Sequence, residues 1–168
     1  MKKNVTDDLL IDKLLGRPAK CRYEIVVLSH DGLPIVIQNE PYLNDGTPMP
    51  TIFWLVGPVE VREVSKLESN GWIKKLQQEI QQSVIDVIHK NYEIERKLII
   101  KNSNYKSSIA VQGGVGGTTK GLKCLHAHLA YFLTGHFDIV GEKVAQMINL
   151  NINNYTIKHM CLMQGELL

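Results

Sequence analysis

Apolar residues recur along this chain with two periods, and the switches between them divide it into helices and strands. Thr6 to Leu15 has helical spacing: Thr6 suits the cap, Asp7 and Asp8 suit the first turn, and Gly16 and Pro18 end it. Arg22 to Leu28 and Leu33 to Ile37 are β-like and flank His30-Asp31-Gly32, which predicts a hairpin. Pro34 puts the second strand of that pair at a sheet edge or at a bulge. Asn39 to Pro50 holds three prolines with Asp-Gly and Thr-Pro turn signals, so it reads as a loop. Thr51 to Val56 predicts a buried third strand, broken by Gly57-Pro58.

The second half is helical for most of its length. Val59 to Ser69 carries Val61, Val64 and Leu67 on one side, and Asn70-Gly71 stops it. From Trp72 to Ile100 apolar residues repeat every four positions through Leu76, Ile80, Val84, Ile88 and Tyr92, which predicts one long central helix. Ile109 to Val111 reads as a short strand ahead of a glycine-rich turn. Leu122, Leu125, Leu129 and Phe132 then mark a helix capped by Thr118 or Thr119 and ended by Gly135. Ile139 to Leu150 is a further amphipathic helix, and Tyr155 to Leu168 reads as a strand through Met163 or as a short helix. The fold class that follows is α+β, a small, mostly antiparallel sheet of three or four strands packed with four or five helices in a single domain, 1–168.

Composition narrows the function more than the fold. A hydrophobic content of 44% and a net charge of +2 belong to an ordinary globular protein without the basic face of a nucleic-acid binder, so no nucleic-acid partner is expected. The mildly basic isoelectric point is all that favours an RNA-associated factor. No apolar run reaches the length of a membrane span, and the N-terminus lacks an apolar core of signal-peptide length, so a cytoplasmic protein with no membrane partner is expected. Cys21, Cys124 and Cys161 are widely spaced and form no CxxC pair, which argues against a disulfide framework.

Chemistry gathers between Ser107 and Gly135. Gly113, Gly114, Gly116 and Gly117 precede a helix start, a geometry whose backbone N–H groups and dipole favour an anion. The order Gly117-Thr118-Thr119-Lys120-Gly121 is not that of the phosphate loop of nucleotide hydrolases, so only the general anion cradle is retained. Within one regular helix, at about 100° per residue, Cys124 and His128 share a face while His126 points the other way. Cys124 and His128 with Cys21, His159 and Cys161 from elsewhere would suffice for a closed zinc site, against the plain alternative of a core cysteine. His89, Tyr92 and Arg96 lie on one face of the long helix, where Arg96 suits phosphate or carboxylate and His89 suits acid–base work. Asp45 in the proline-rich loop and Arg17 in the Gly-Arg-Pro turn are further candidates, with a plain turn as the alternative for Asp45.

Several segments stand in a familiar order: LLGRP, LPIVIQNEPYLNDGTPMPTIFWL, VSKLESNGWI, HKNYEIER and GVGGTTKGLKCLHAH. Over about Leu14 to Val144 the chain resembles the bacterial family called domain of unknown function 501, leaving 151–168 as a C-terminal extension. The resemblance implies a bacterial cytosolic protein and marks Asp45, Gly46, Thr47, Pro48, His89, Tyr92, Arg96, Lys123, Cys124 and His126 as family-type positions. It implies no activity, because the family has none established. This chain has Ser29-His30-Asp31 where other members can place cysteine in the first hairpin, which weakens any shared metal site there.

The expected function is a pocket for a small anionic, phosphate-bearing ligand, with cofactor and oligomeric state left open. Gly113 to Gly117, Thr118 and Thr119 would cradle the anion; Lys120, Lys123 and Arg96 would neutralise it, with Tyr92, Asp45 and Arg17 nearby. His89 or His126 would be the acid–base group and Cys124 a nucleophile if the helix start stabilises its thiolate, with catalysis itself left open. The rival is a non-enzymatic, metal-stabilised or interaction module.

Overall fold

The computed structural model describes residues 5–102 and 112–158. Four strands, β1 (Tyr23–Ser29), β2 (Pro34–Asn39), β3 (Phe53–Leu55) and β4 (Tyr155–Ile157), form one antiparallel sheet in the order β3-β2-β1-β4. Among the described residues six α-helices accompany it: α1 (Val5–Leu15), α2 (Pro58–Ser69), α3 (Trp72–Glu79), α4 (Gln82–Asn102), α5 (Leu125–Leu133) and α6 (Ile139–Met147). The α+β class is therefore as the pattern predicts.

The hairpin forms around Gly32, which has a positive φ of 81° and donates its N–H to the Ser29 carbonyl. Pro34 opens β2 rather than marking an edge: β2 is an interior strand, and the β1 register shifts between Val27 and Leu28, opposite Pro34. Both faces of the sheet are covered. Ile37, Val56 and Ile11 form a small cluster with Trp54, Tyr23 and Ile25 under α1. Val36, Phe53 and Leu55 face the main core, shared with α2 to α6.

Two helix predictions are corrected. The stretch from Trp72 to Ile100 is two helices, because Ile80 takes an extended conformation (φ −90°, ψ 131°) and α4 restarts on the Gln81 carbonyl. Leu76 and Ile80 before the break and Ile85, Ile88 and Tyr92 after it are all buried in the same core. The central helix is instead the short α5, in which Leu125, Ala127, His128, Leu129, Ala130, Tyr131 and Leu133 are buried between β3, α2 and α6. Gly141 of α6 lies so close to the His128 carbonyl and Phe132 that no side chain fits between the two helices.

The tail is a strand as one alternative had it, through Ile157 among the described residues. Tyr155 of β4 donates its hydroxyl to the buried Glu60 carboxylate at 2.6 Å, fastening the C-terminal segment to the first turn of α2. The expected strand at Ile109–Val111 and the candidates His159 and Cys161 lie outside the described residues.

Candidate functional site

The start of α5 decides which side chains meet. The helix begins at Leu125, and neither Thr118 nor Thr119 caps it. Its N-cap is Cys124, whose backbone is extended (φ −149°, ψ 115°) and whose side chain makes no cap bond. Instead the Leu125 N–H donates to Glu68 Oε1 at 2.6 Å. A carboxylate from the last turn of α2 thus satisfies an orphan donor in the first turn of α5.

Because Cys124 precedes the helix, the 100° rule does not separate it from His126. The Cys124 Sγ lies 3.9 Å from His126 Nδ1, and Glu68 Oε1 lies 3.2 Å from the same nitrogen. The opposite nitrogen, His126 Nε2, contacts the Val61 carbonyl at 3.2 Å and Ser65 Oγ at 3.1 Å. Ser65 donates its own hydroxyl to Val61 O, so its oxygen is left to accept the Nε2 proton. The Glu68 and His126 side chains are 25% and 22% exposed, so the group opens to solvent. Burial alone would lower the His126 pKa, but the bond to Cys124, the charges of Glu68 and Cys124 and the Val61 carbonyl outweigh it and raise it to about 9.

This is not a nucleophile–base–carboxylate triad. In a triad the nucleophile and the orienting carboxylate occupy opposite ring nitrogens. Here both face Nδ1, and a backbone carbonyl and a serine take the other side.

The glycine turn forms one flank of the group. Gly116 sits against Cys124, where an added Cβ would lie 3.5 Å from the Cys124 Cβ. Gly113, Gly116 and Gly117 all have positive φ, and several amides of the segment are committed internally: Gly114 N–H to Thr118 O, Gly117 N–H to Gly114 O, and Lys120 N–H to Thr118 Oγ1. Thr119, Lys120 and Lys123 are exposed beside it.

The other expected wall is not across a cleft from this turn but packed into it. His89, 5% exposed, accepts the Val115 N–H at Nδ1 and meets the Gly121 carbonyl through Nε2 at 2.9 Å. That pair of partners fixes a neutral imidazole with its proton on Nε2. A Cβ on Gly114 would collide with the His89 ring. Burial is the main reason the His89 pKa is lowered, opposed by the Gly121 carbonyl. Arg96 is 1% exposed; its guanidinium donates to the Gln112 and Pro50 carbonyls and stacks on Tyr92. The Tyr92 hydroxyl accepts the Ile52 N–H at 2.7 Å. These three side chains are buried and fasten loops to α4.

Other candidates separate as well. His128 is fully buried and bonds Asp138 Oδ2 through Nδ1 at 2.7 Å, while Asp138 Oδ1 caps α6. It therefore does not share a site with Cys124. Cys21 is buried beside Asn39. Asp45 accepts the N–H of Thr47 in its own exposed turn, a bond that lowers its pKa. Arg17 lies over the Trp54 ring at 5.1 Å.

Glu68 and Ser65 were not candidates on sequence. One signal for Glu68 exists: a carboxylate in the last turn of a helix opposes the helix dipole unless something else holds it.

The family described as protein of unknown function (DUF501) matches residues 25–146. The chain belongs to the DUF501 family. The matched span includes Glu68, Cys124 and His126 but not α1 or β4. No curated protein and no solved structure matches the chain. Among the described residues no helix is long and apolar enough to cross a membrane.

Proposed function

We propose that this DUF501 chain binds a small anionic ligand at the start of α5, with Cys124 as the reacting or ligating thiol and His126 as the group that carries the proton. The observation that carries this reading is the 3.9 Å approach of Cys124 Sγ to His126 Nδ1 on a solvent-open helix start. Three features support it. The first turn of α5 supplies a favourable dipole for negative charge. The Glu68 carboxylate is engaged by His126 and by the Leu125 amide. Lys120 and Lys123 project from the adjoining segment. His89, Tyr92 and Arg96 act as framework that holds the glycine turn against α4 and the Pro50 loop against the same helix.

Alkylation tests this directly. Native protein is treated in parallel with iodoacetate and with iodoacetamide, and modification of Cys124 is followed by peptide mass spectrometry. The anionic reagent is expected to gain on the neutral one by about tenfold relative to the urea-unfolded chain, the order of a local electrostatic enrichment. Lys120→Glu with Lys123→Glu is expected to remove the gain. An equal reagent ratio in native and unfolded protein contradicts the anion site.

A further inference from the structure

Glu68, Cys124 and His126 place three different donor atoms, a carboxylate oxygen, a thiol sulfur and an imidazole nitrogen, within 4.8 Å of one another. We infer that these three side chains form a binding site for a divalent transition metal of the zinc class, with a fourth position open to solvent. The inference rests on placing the functional centre at the start of α5, and it names what would hold the anionic ligand there.

The spacing fits a tetrahedral ion. With metal–nitrogen and metal–oxygen bonds near 2.1 Å and metal–sulfur bonds near 2.3 Å, tetrahedral edges are roughly 3.4 Å for nitrogen to oxygen and roughly 3.6 Å for nitrogen to sulfur. The corresponding separations here are 3.2 Å and 3.9 Å. Each is within about 0.3 Å of its tetrahedral edge, and the oxygen-to-sulfur separation is at most 4.8 Å against an edge of roughly 3.6 Å. The shared nitrogen, which argues against a triad, is what a metal centre demands: each donor must face the same point.

The surroundings fit as well. A metal-ligating histidine usually donates its other ring N–H to a carbonyl or similar acceptor, which fixes the tautomer. His126 Nε2 has the Val61 carbonyl and Ser65 Oγ in that place, leaving the Nδ1 lone pair for the ion once its proton departs. Glu68 is oriented by the Leu125 amide, so the carboxylate is positioned from outside as well. Mixed oxygen, nitrogen and sulfur donors favour zinc and its close substitutes over magnesium or calcium, which take oxygen. Two anionic ligands and one neutral one balance a divalent ion. An anion at the open position would therefore meet a neutral centre flanked by lysines. Three protein ligands with solvent on the remaining side is the arrangement of an exchangeable rather than a closed structural site.

Cobalt provides the test, because a thiolate ligand gives it a charge-transfer absorption and a four-coordinate site gives it intense visible bands. The full chain, stripped with chelator and kept reduced, is titrated with Co²⁺. Saturable binding with both signatures, reversed by Zn²⁺, is expected. Cys124→Ser is expected to abolish the charge-transfer band, and Glu68→Gln, which keeps the bond to the Leu125 amide, to weaken binding by tenfold or more. Circular dichroism establishes that each variant is folded. Absence of the charge-transfer band in the parent, its persistence in Cys124→Ser, or undiminished binding by Glu68→Gln overturns the inference. The alkylation experiment, run with chelator present, reads the anion site without metal. Anion preference at Cys124 without cobalt binding removes the metal and leaves the anion site. Cobalt binding without anion preference leaves the metal and removes the other.

Discussion

Arg96→Ala is expected to lower folding stability by about 3–5 kcal/mol, against a total of about 5–15 kcal/mol for an ordinary domain. The side chain is 1% exposed. One guanidinium nitrogen donates to Gln112 O at the edge of the glycine segment and another to Pro50 O, 46 residues before it in the chain. Truncation leaves both carbonyls without this donor, opens a cavity and removes the stacking on Tyr92. Lysine is a poor replacement, since a single ammonium does not reproduce a planar fork that reaches two separate acceptors. Urea unfolding measures the change. Arg96→Lys, which keeps part of the bonding, serves where the alanine variant does not fold. A loss below about 1 kcal/mol for either variant would show that Arg96 is not the fastener described here.

His89 is expected to make the chain lose stability in mild acid. Its folded pKa lies below the ordinary 6.5, chiefly through burial. Below pH 6.5 the unfolded chain takes up a proton at this position while the folded chain does not. The contribution is therefore fully present above 6.5 and declines as pH falls, by up to about 1.4 kcal/mol per pH unit, until the folded value is passed. A proton on Nδ1 would also displace the Val115 N–H that this nitrogen accepts. His126 has the opposite sign. Its raised value gives stability that is complete below 6.5 and is lost as pH rises toward about 9, so it adds little slope in the acid window. Urea titrations of metal-free protein at a series of pH values, in the parent and in His89→Gln, isolate the difference. A steeper acid decline in the parent is expected, and parallel curves would contradict it.

Much of the fold was legible from local pattern. The hairpin at Gly32, the buried strand at Phe53–Leu55 and helices α1, α2 and α6 all follow from spacing, turns and breaks. What local pattern misses is set by distant partners. The boundary of α5 is the clearest case. Leucine spacing extends the helix back through Cys124, but the helix starts where the Glu68 carboxylate, 57 residues earlier, meets the Leu125 amide. That one-residue difference in state turns Cys124 toward His126 and leaves His128 to its own buried carboxylate, Asp138.

The glycine segment shows the same limit from the other side. Gly113, Gly116 and Gly117 take positive φ, but the meaning of the segment depends on what approaches it. On one side Gly114 admits the His89 ring, so the geometry serves packing; on the other Gly116 lies against Cys124. Within the expected set, Cys124 and His126 do come together, with the glycine turn beside them, while His89, Tyr92 and Arg96 hold the wall from behind.

We place the functional centre at the group Glu68, Cys124 and His126 rather than at the contact of the glycine turn with α4. Histidine ring nitrogens observed by ¹⁵N NMR test it most directly, with Zn²⁺ and inorganic phosphate added in turn to the reduced full chain. The His126 ring signals are expected to change, Nδ1 most strongly with zinc, while His89 keeps its proton on Nε2 throughout. Changes centred on His89, or no change at His126 with either addition, would contradict it.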